Sequence, residues 1–493
     1  MEEERSSRGQ RGKYGRLLKN TLILTVGTFA SKLLVFLLLP LYTNYLTRSE
    51  YGIADLVANL ANFLMPIFCC GLAEGVLRFS LRETREDGTP RYERKAVFSA
   101  SLLITLGGGL LLLLLLPLLC EIPSLGSYGI LVVLYVISAN LHSIAAEYVR
   151  ACERTTLYAA QGVLNTSLVI ALNLILLLGF DAGVYGYVLS VILADFLTTV
   201  FLTVSARLYR EFAPRTIRKE TVRALLRFSL PLIPGLLLWW VISVSDRYLL
   251  TWMVGSEENG LYVAAAKIPT IMTLLCTVFL TAWKTSAVTE DGGSDEEAKG
   301  RKGAFYGNVY RGFVALLFCA AACITLFSKL FAKILFSADF YIAWQYIPIL
   351  TIGTVFYNLS RFLGSVYFVK EKSLRSSITA AVAAAVNVVL NLLLIPRFGA
   401  FGAAGATFVA YLIEYLVRDV DAQREIRFSA QRLRIYGCGI LLAAEVVVVT
   451  FAPPYWIAAS AVLTALILAF SMKPLFSMLN GLLKMIRSKK VYK

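Results

Sequence analysis

Charged side chains interrupt stretches that are otherwise apolar and long: Lys32, Asp195, Asp246, Arg247, Lys267, Arg361 and Glu414. A charge in hydrocarbon is costly, so such residues face a bundle interior or a watery cavity, and they mark paths for ions or substrates. The adjacent pair Asp246 and Arg247 sits in the stretch 225–260, which opens Leu-Leu-Arg-Phe-Ser-Leu-Pro-Leu-Ile-Pro and runs through Trp239 and Trp240. Among the embedded charges Lys32, Arg247, Lys267 and Arg361 are bases, and that bears on the sign of a ligand. An anionic headgroup such as a diphosphate would lose tens of kcal/mol of hydration in bare hydrocarbon. Guanidinium and ammonium groups around a wet cavity remove most of that cost, and Arg adds a two-pronged grip on phosphate. An organic cation would need carboxylates and aromatic rings instead, and Asp195 and Asp246 keep that alternative open.

Other charged residues have a simpler reading. Glu74 with Arg78, Glu147 with Arg150, and Glu414 with Arg418 are spaced to pair along one helix face. Lys32, Arg247, Lys267 and Arg361 are the substrate-binding candidates by their place in the apolar runs, and Arg78 joins them only through a family resemblance. Glu147 and Asp246 are the candidates for ion pairing or for coupling to a proton or a sodium ion. His142 is the only histidine and reads as a hydrogen-bond partner between helices. The eight cysteines are scattered, mostly within apolar runs, and read as small packing residues. Neither a metal site nor a cofactor is expected. A Gly-rich phosphate loop and a His-Glu-x-x-His are both missing, so ATP-driven pumping and zinc hydrolysis have no support.

The elements that must position these residues are membrane helices. Of 493 residues 58% are hydrophobic and only 16% are charged, with a mean hydropathy of +0.68. Apolar runs of spanning length lie near 20–46, 51–76, 96–120, 127–150, 157–180, 183–207, 225–254, 260–285, 305–336, 343–369, 374–396, 400–418, 434–452 and 455–477. This predicts an all-α, polytopic membrane protein of about 14 transmembrane helices. The first run is too long for a signal-peptide core and is expected to remain as a span. Basic residues crowd alternate connections, from Arg82 to Lys95, from Arg207 to Arg223 and from Arg424 to Arg434, whereas 121–128, 181–182 and 257–258 contain none. That alternation predicts both termini in the cytoplasm. It also accounts for most of the net charge of +16, so nucleic acid is not expected as a partner. The connections, at most about 20 residues long, leave no room for a soluble catalytic domain. Pro231 and Pro234 are positioned to bend the seventh run. Gly399, Gly402, Gly405, Ala406 and Ala410 read as a close helix–helix contact.

Two ordered echoes suggest an internal repeat. Leu17, Leu18, Lys19 and Gly52 align without a gap on Leu225, Leu226, Arg227 and Gly260. Asn140-Leu141, Glu153 and Leu172-Asn173 stand at one constant offset from Asn358-Leu359, Glu371 and Leu390-Asn391. Parallel repeats are the arrangement in which one lobe of a transporter rocks against another around a midplane site.

The opening Leu-Leu-Lys-Asn…Leu-Tyr-Thr-Asn-Tyr-Leu-Thr-Arg-Ser-Glu-Tyr-Gly-Ile (Leu17 to Ile53) resembles the polysaccharide-transporter flippases of the multidrug/oligosaccharidyl-lipid/polysaccharide exporter superfamily. Gly71-Leu72…Leu77-Arg78-Phe79, Ser245-Asp246-Arg247-Tyr248-Leu249-Leu250 and Asn391-Leu392-Leu393-Leu394-Ile395-Pro396 are also similar to its recurring patterns. The resemblance covers nearly the whole chain. It implies two six-helix lobes, at 1–207 and 225–424, joined by a cytoplasmic linker at 208–224 and followed by two trailing helices and a basic tail at 425–493. It also implies a monomeric inner-membrane transporter, not an enzyme, that exports undecaprenyl-diphosphate-linked oligosaccharides from the inner to the outer leaflet by alternating access. Such a protein would serve capsule, O-antigen or exopolysaccharide assembly. In similar proteins a cationic cavity holds the headgroup while the lipid tail stays among the membrane lipids. Lys32 belongs to none of these motifs, so its assignment rests on its place in the bilayer. A lipid II flippase and a cation-coupled multidrug exporter are the alternatives. A membrane glycan polymerase or ligase would need a long outer loop that this chain lacks.

Overall fold

The computed structural model describes residues 36–81, 92–289, 296–369, 373–428 and 431–491. It is all-α, as expected, with no strand among the described residues. By contact the chain divides into two compact units, residues 1–240 and 241–493. Among the described residues, ten helices are long and apolar enough to cross a membrane. The difference from the expected number arises partly where apolar runs merge or break, and partly because the first run lies mostly outside the described residues.

In the first unit, α1 (Leu39–Tyr45) leads into α2 (Arg48–Phe68). The Thr-Arg-Ser-Glu of the opening motif is a capping box: the Glu50 amide donates to Thr47 Oγ1 at 3.2 Å, and the Thr47 amide donates to Glu50 Oε2 at 2.9 Å. The run read as 51–76 is broken. Cys70 and Gly71 both take positive φ, 51° and 62°, and the chain restarts as α3 (Leu72–Ser80). Hydropathy alone misses this break, because the residues on either side are equally apolar.

Four longer helices follow: α4 (Arg94–Leu114) with its short extension α5 (Leu116–Cys120), then α6 (Gly129–Ala151), α7 (Thr155–Asn173) and α8 (Gly183–Ser205). The hub is α6, which packs on α2, α3, α4 and α8. Its Ala139, Ala145 and Ala146 are buried, and small side chains of this kind let membrane helices approach closely. The seventh run is also interrupted. Here α9 (Lys219–Ser229) packs on α3 and α4, Pro231 sits in a single 3₁₀ turn, and α10 (Ile233–Met253) begins afterwards with Pro234 in its first turn. Proline is tolerated at those first helical positions because their N–H groups have no intrahelical partner in any case.

The second unit contains α11 (Ser256–Thr289), α12 (Glu296–Leu326), the short α13 (Ser328–Leu335), α14 (Ile347–Val369), α15 (Ser373–Glu425), α16 (Arg432–Phe451) and α17 (Trp456–Val491). Its core is aromatic: Trp283, Tyr306, Tyr310, Phe313 and Phe362 are all buried in one cluster. The Trp283 indole donates to Ser365 at 2.9 Å, so the polar edge of the ring is satisfied inside.

At Gly399 α15 reverses, with φ 54° and ψ −132°, a conformation open essentially to glycine alone. Contacts between the limbs 373–398 and 400–425 step outward from this bend, from Asn387–Thr407 at 3.2 Å to Arg375–Glu425 at 2.8 Å. The limbs are therefore antiparallel spans of one hairpin. Gly402 belongs to the close contact read from the sequence, since a Cβ there would lie 2.4 Å from the Leu394 carbonyl oxygen, whereas Gly405 has open space around it.

Candidate functional site

Asp246 is the centre of a polar network in the second unit. It is 5% exposed, and Tyr262 on α11 donates to its Oδ2 at 2.5 Å. Thr407, on the second limb of α15, reaches the same oxygen at 3.4 Å, while the Arg247 amide donates to Oδ1 at 2.9 Å. A second tier surrounds these contacts. Ser245 donates to Asn387 Oδ1 at 3.2 Å, Asn387 donates to Thr407 Oγ1 at 3.2 Å, and Asn391 donates to Asn387 Oδ1 at 2.9 Å. One acid is thus held by α10, α11 and both limbs of the hairpin. The two hydroxyl oxygens at Oδ2 could share a proton or a small hard cation with the carboxylate, while the backbone N–H fixes Oδ1.

The basic candidates fall in both units. Arg361 on α14 is half-buried, and its Nη1 donates to Thr277 Oγ1 at 3.1 Å and to Asn358 Oδ1 at 3.5 Å, with the guanidinium 5.5 Å from the Tyr357 ring centroid. Among the described residues no carboxylate lies within ion-pair distance of it. Lys267 on α11 and Arg247 on α10 are also half-buried. In the first unit Arg78 is exposed at the end of α3, with its guanidinium 4.6 Å from the Phe228 ring centroid. That stack replaces the expected pair with Glu74. Lys32 lies outside the described residues.

Two of the pairs read from the sequence are formed. Arg150 meets Glu147 at 3.3 Å, and Tyr158 donates to the same acid at 3.5 Å. Arg418 meets Glu414 at 2.8 Å with both side chains buried, and it also donates to Thr379, to the Ser360 carbonyl and to the Ser376 carbonyl. This second pair is a structural pin between α14 and the α15 hairpin.

The first unit has a polar cluster of its own. His142 lies between Asp195, 3.1 Å from Nδ1, and Gln161, 2.7 Å from Nε2, and Asn165 donates to Asp195 at 2.8 Å. The lone histidine is therefore a link between helices, as its type suggested. Sequence reasoning missed Gln161, Asn165, Tyr262, Asn387 and Thr407. A signal was available for the amides: Gln161 and Asn165, like Asn387 and Asn391, are four apart on one face of an apolar helix.

Residues 17–283 match the family of polysaccharide biosynthesis proteins. The chain belongs to that family. The matched segment exceeds half the chain and includes the capping box, α3 and the Ser-Asp-Arg of α10. A comparison with curated proteins gives no match. Among solved structures, the fold is similar to the lipid II flippase MurJ in an inward closed conformation, with a TM-score of 0.67, 14% identity, and coverage of 93% of this chain and 99% of that one. It is also similar to an inward-facing multidrug resistance MATE family transporter of the MOP superfamily, with a TM-score of 0.64, 15% identity, and coverage of 82% and 95%. A third is a MOP superfamily transporter from Pyrococcus furiosus whose description notes a binding pocket of reverse polarity, with a TM-score of 0.57, 14% identity, and coverage of 85% and 96%. At these identities what is shared is the fold. The protein is thus a multi-pass membrane protein of the polysaccharide biosynthesis family with a MOP-type transporter fold.

Proposed function

We propose that this protein is a flippase that carries undecaprenyl-diphosphate-linked oligosaccharides from the inner to the outer leaflet of the plasma membrane by alternating access, for cell-surface polysaccharide assembly. Family membership supports the substrate class. The observation that carries the reading is Arg361, a half-buried guanidinium on α14 that is held by Thr277 and Asn358 and, among the described residues, has no carboxylate within ion-pair distance. A base so placed calls for an anion from outside the protein, and a diphosphate fits the donor geometry of guanidinium. Arg78, Arg247, Lys267 and Lys32 are assigned to the same headgroup, and the lipid tail remains among membrane lipids. The basic connections support cytoplasmic termini, and a monomer is taken as the acting unit. Its two lobes are residues 1–207 and 225–424, followed by two trailing helices. No catalytic step is assigned.

Outward movement of an anion is favoured by an inside-negative potential, by about 2.3 kcal/mol per charge per 100 mV. Coupling to a proton or sodium ion is assigned to Asp246, with its hydroxyl neighbours, or to Glu147, which meets Arg150. A second reading, a lipid II flippase, is favoured by the similarity to MurJ.

The test is mass spectrometry of undecaprenyl-linked glycans with and without the gene, together with their accessibility from the outer leaflet. Complete repeat units trapped on the inner leaflet only without the protein support the proposal, and their sugars name the substrate. Trapped lipid II would select the second reading. An unchanged pool together with altered dye efflux would overturn both in favour of multidrug export.

A further inference from the structure

Glu445 lies in the apolar sequence Leu-Leu-Ala-Ala-Glu-Val-Val-Val-Val of α16 and is 0% exposed. Transport as proposed above makes no use of it. Two hydroxyls of α17 donate to its Oε1, Ser460 at 3.0 Å and Thr464 at 2.7 Å. Ser460 and Thr464 are four apart, so they form a short ladder on one helix face, and both are buried. Oε2 is buried as well and has no hydrogen-bond partner among the described residues. Among the described residues no cation lies within ion-pair distance of the carboxyl. On α12, which packs against both trailing helices, Cys323 lies within electrostatic range of the carboxyl, and Cys319 of α12 lies near Cys438 of α16. On α13 the Lys329 ammonium stands over aromatic rings, 4.3 Å from the Trp344 centroid and 4.1 Å from that of Trp456. Phe356 is the α14 side chain that faces α16 at Gly439, and the α14 guanidinium, Arg361, is bound to Thr277 and Asn358 instead.

An ionised carboxylate here would have one oxygen dry and no countercharge. A neutral acid would leave at worst one O–H unpaired, a cost lower by about an order of magnitude than that of a lone buried charge. We propose that Glu445 is a proton-binding site of the trailing helix pair, a neutral carboxylic acid that latches α16 to α17 through Ser460 and Thr464, and that its ionisation releases the latch. The site is specific to this pair and takes no part in holding the substrate.

Infrared difference spectroscopy on the full-length protein in lipid nanodiscs tests the charge state, by subtracting Glu445→Gln from wild type at neutral pH. The expected result is loss of a carbonyl stretch belonging to a protonated acid. Loss of carboxylate bands instead would overturn the proposal. The latch is tested by thermal unfolding between about pH 6 and about pH 9. A group that is neutral when buried and ionises readily when exposed favours the opened state as pH rises, so the wild-type midpoint should fall more steeply than that of Glu445→Gln. Equal slopes would overturn the latch. Should Glu445→Gln fail to fold, the double variant Ser460→Ala/Thr464→Val keeps the acid but removes both donors. Its acid band should move to higher frequency, and an unmoved band would overturn the assigned contacts.

Discussion

Oδ1 of Asp195 lies 3.1 Å from Nδ1 of His142, and the opposite ring nitrogen lies 2.7 Å from Gln161. Three helices of the first unit, α6, α7 and α8, are tied through one imidazole. His142→Ala leaves the buried carboxylate with Asn165 as its remaining side-chain amide partner, and the expected loss is about 2 kcal/mol of stability. His142→Gln, which retains one donor, should lose less. Thermal unfolding of the purified variants measures both, and a wild-type midpoint for His142→Ala would show that the link carries no stability.

The Arg418–Glu414 pin predicts a strongly non-additive pair. Removing either partner leaves a buried charge alone and should cost about 3–5 kcal/mol. Removing both with Leu in each place should cost less than either single change. A double-mutant thermal cycle decides it, and additive losses would mean that the two side chains do not act as a unit.

Much of this was legible in the sequence, and the exceptions have physical reasons. The echo of Asn140 in Asn358 corresponds to a shared role: Asn140 donates from α6 to the Met65 carbonyl on α2 at 3.2 Å, and Asn358 donates from α14 to Thr273 on α11 at 3.2 Å. Asp246 was recognisable because an acid inside an apolar run is conspicuous. Its partners Tyr262 and Thr407 were not, because a hydroxyl on a membrane helix can satisfy itself on its own backbone, as Thr270 does with the Ala266 carbonyl. The breaks at Cys70–Gly71 and at Leu230–Leu232 were hidden because hydropathy sums across them, although Pro231 and Pro234 pointed to the second. Glu445 is conspicuous by the same rule as Asp246, being an acid inside the apolar run Leu441 to Val449.

Adjacent glycines in α4 should respond in opposite ways. A Cβ on Gly108 would lie 1.7 Å from the Phe68 carbonyl oxygen, whereas one on Gly107 meets nothing within 4 Å. Gly108→Ala should therefore abolish or severely reduce folded yield, because helix backbone would have to separate. Gly107→Ala should be neutral or stabilising by up to about 1 kcal/mol. Expression and thermal unfolding of the two variants compare them directly, and equal behaviour would contradict the packing of α4 on the end of α2.

Arg361 should be graded by chemistry. Arg361→Gln removes the charge and should lower export of the lipid-linked glycan about tenfold, the scale of one charge-assisted hydrogen bond. Arg361→Lys keeps the charge but not the fork, and should fall between the two. Surface-polysaccharide labelling of cells with matched protein levels reads the series. Full activity in Arg361→Gln would remove this residue from substrate binding.

Asp246→Asn keeps the shape of the polar network but removes its charge. If Asp246 couples the cycle to an ion, transport should fall about tenfold or more while the folded yield is retained, and Tyr262→Phe should have a smaller effect. Transport unaffected by Asp246→Asn would leave the membrane potential as the driving force.

Gly399 governs more than a local bend. Its 53-residue helix, if straight, would reach about 80 Å, far beyond a hydrocarbon core of about 30 Å. Because the chain doubles back there, each limb is of spanning length and the second returns the chain toward the side from which the first set out. The parity of the remaining crossings, and hence the compartment that receives the basic carboxyl-terminal tail, turns on the sign of one φ angle.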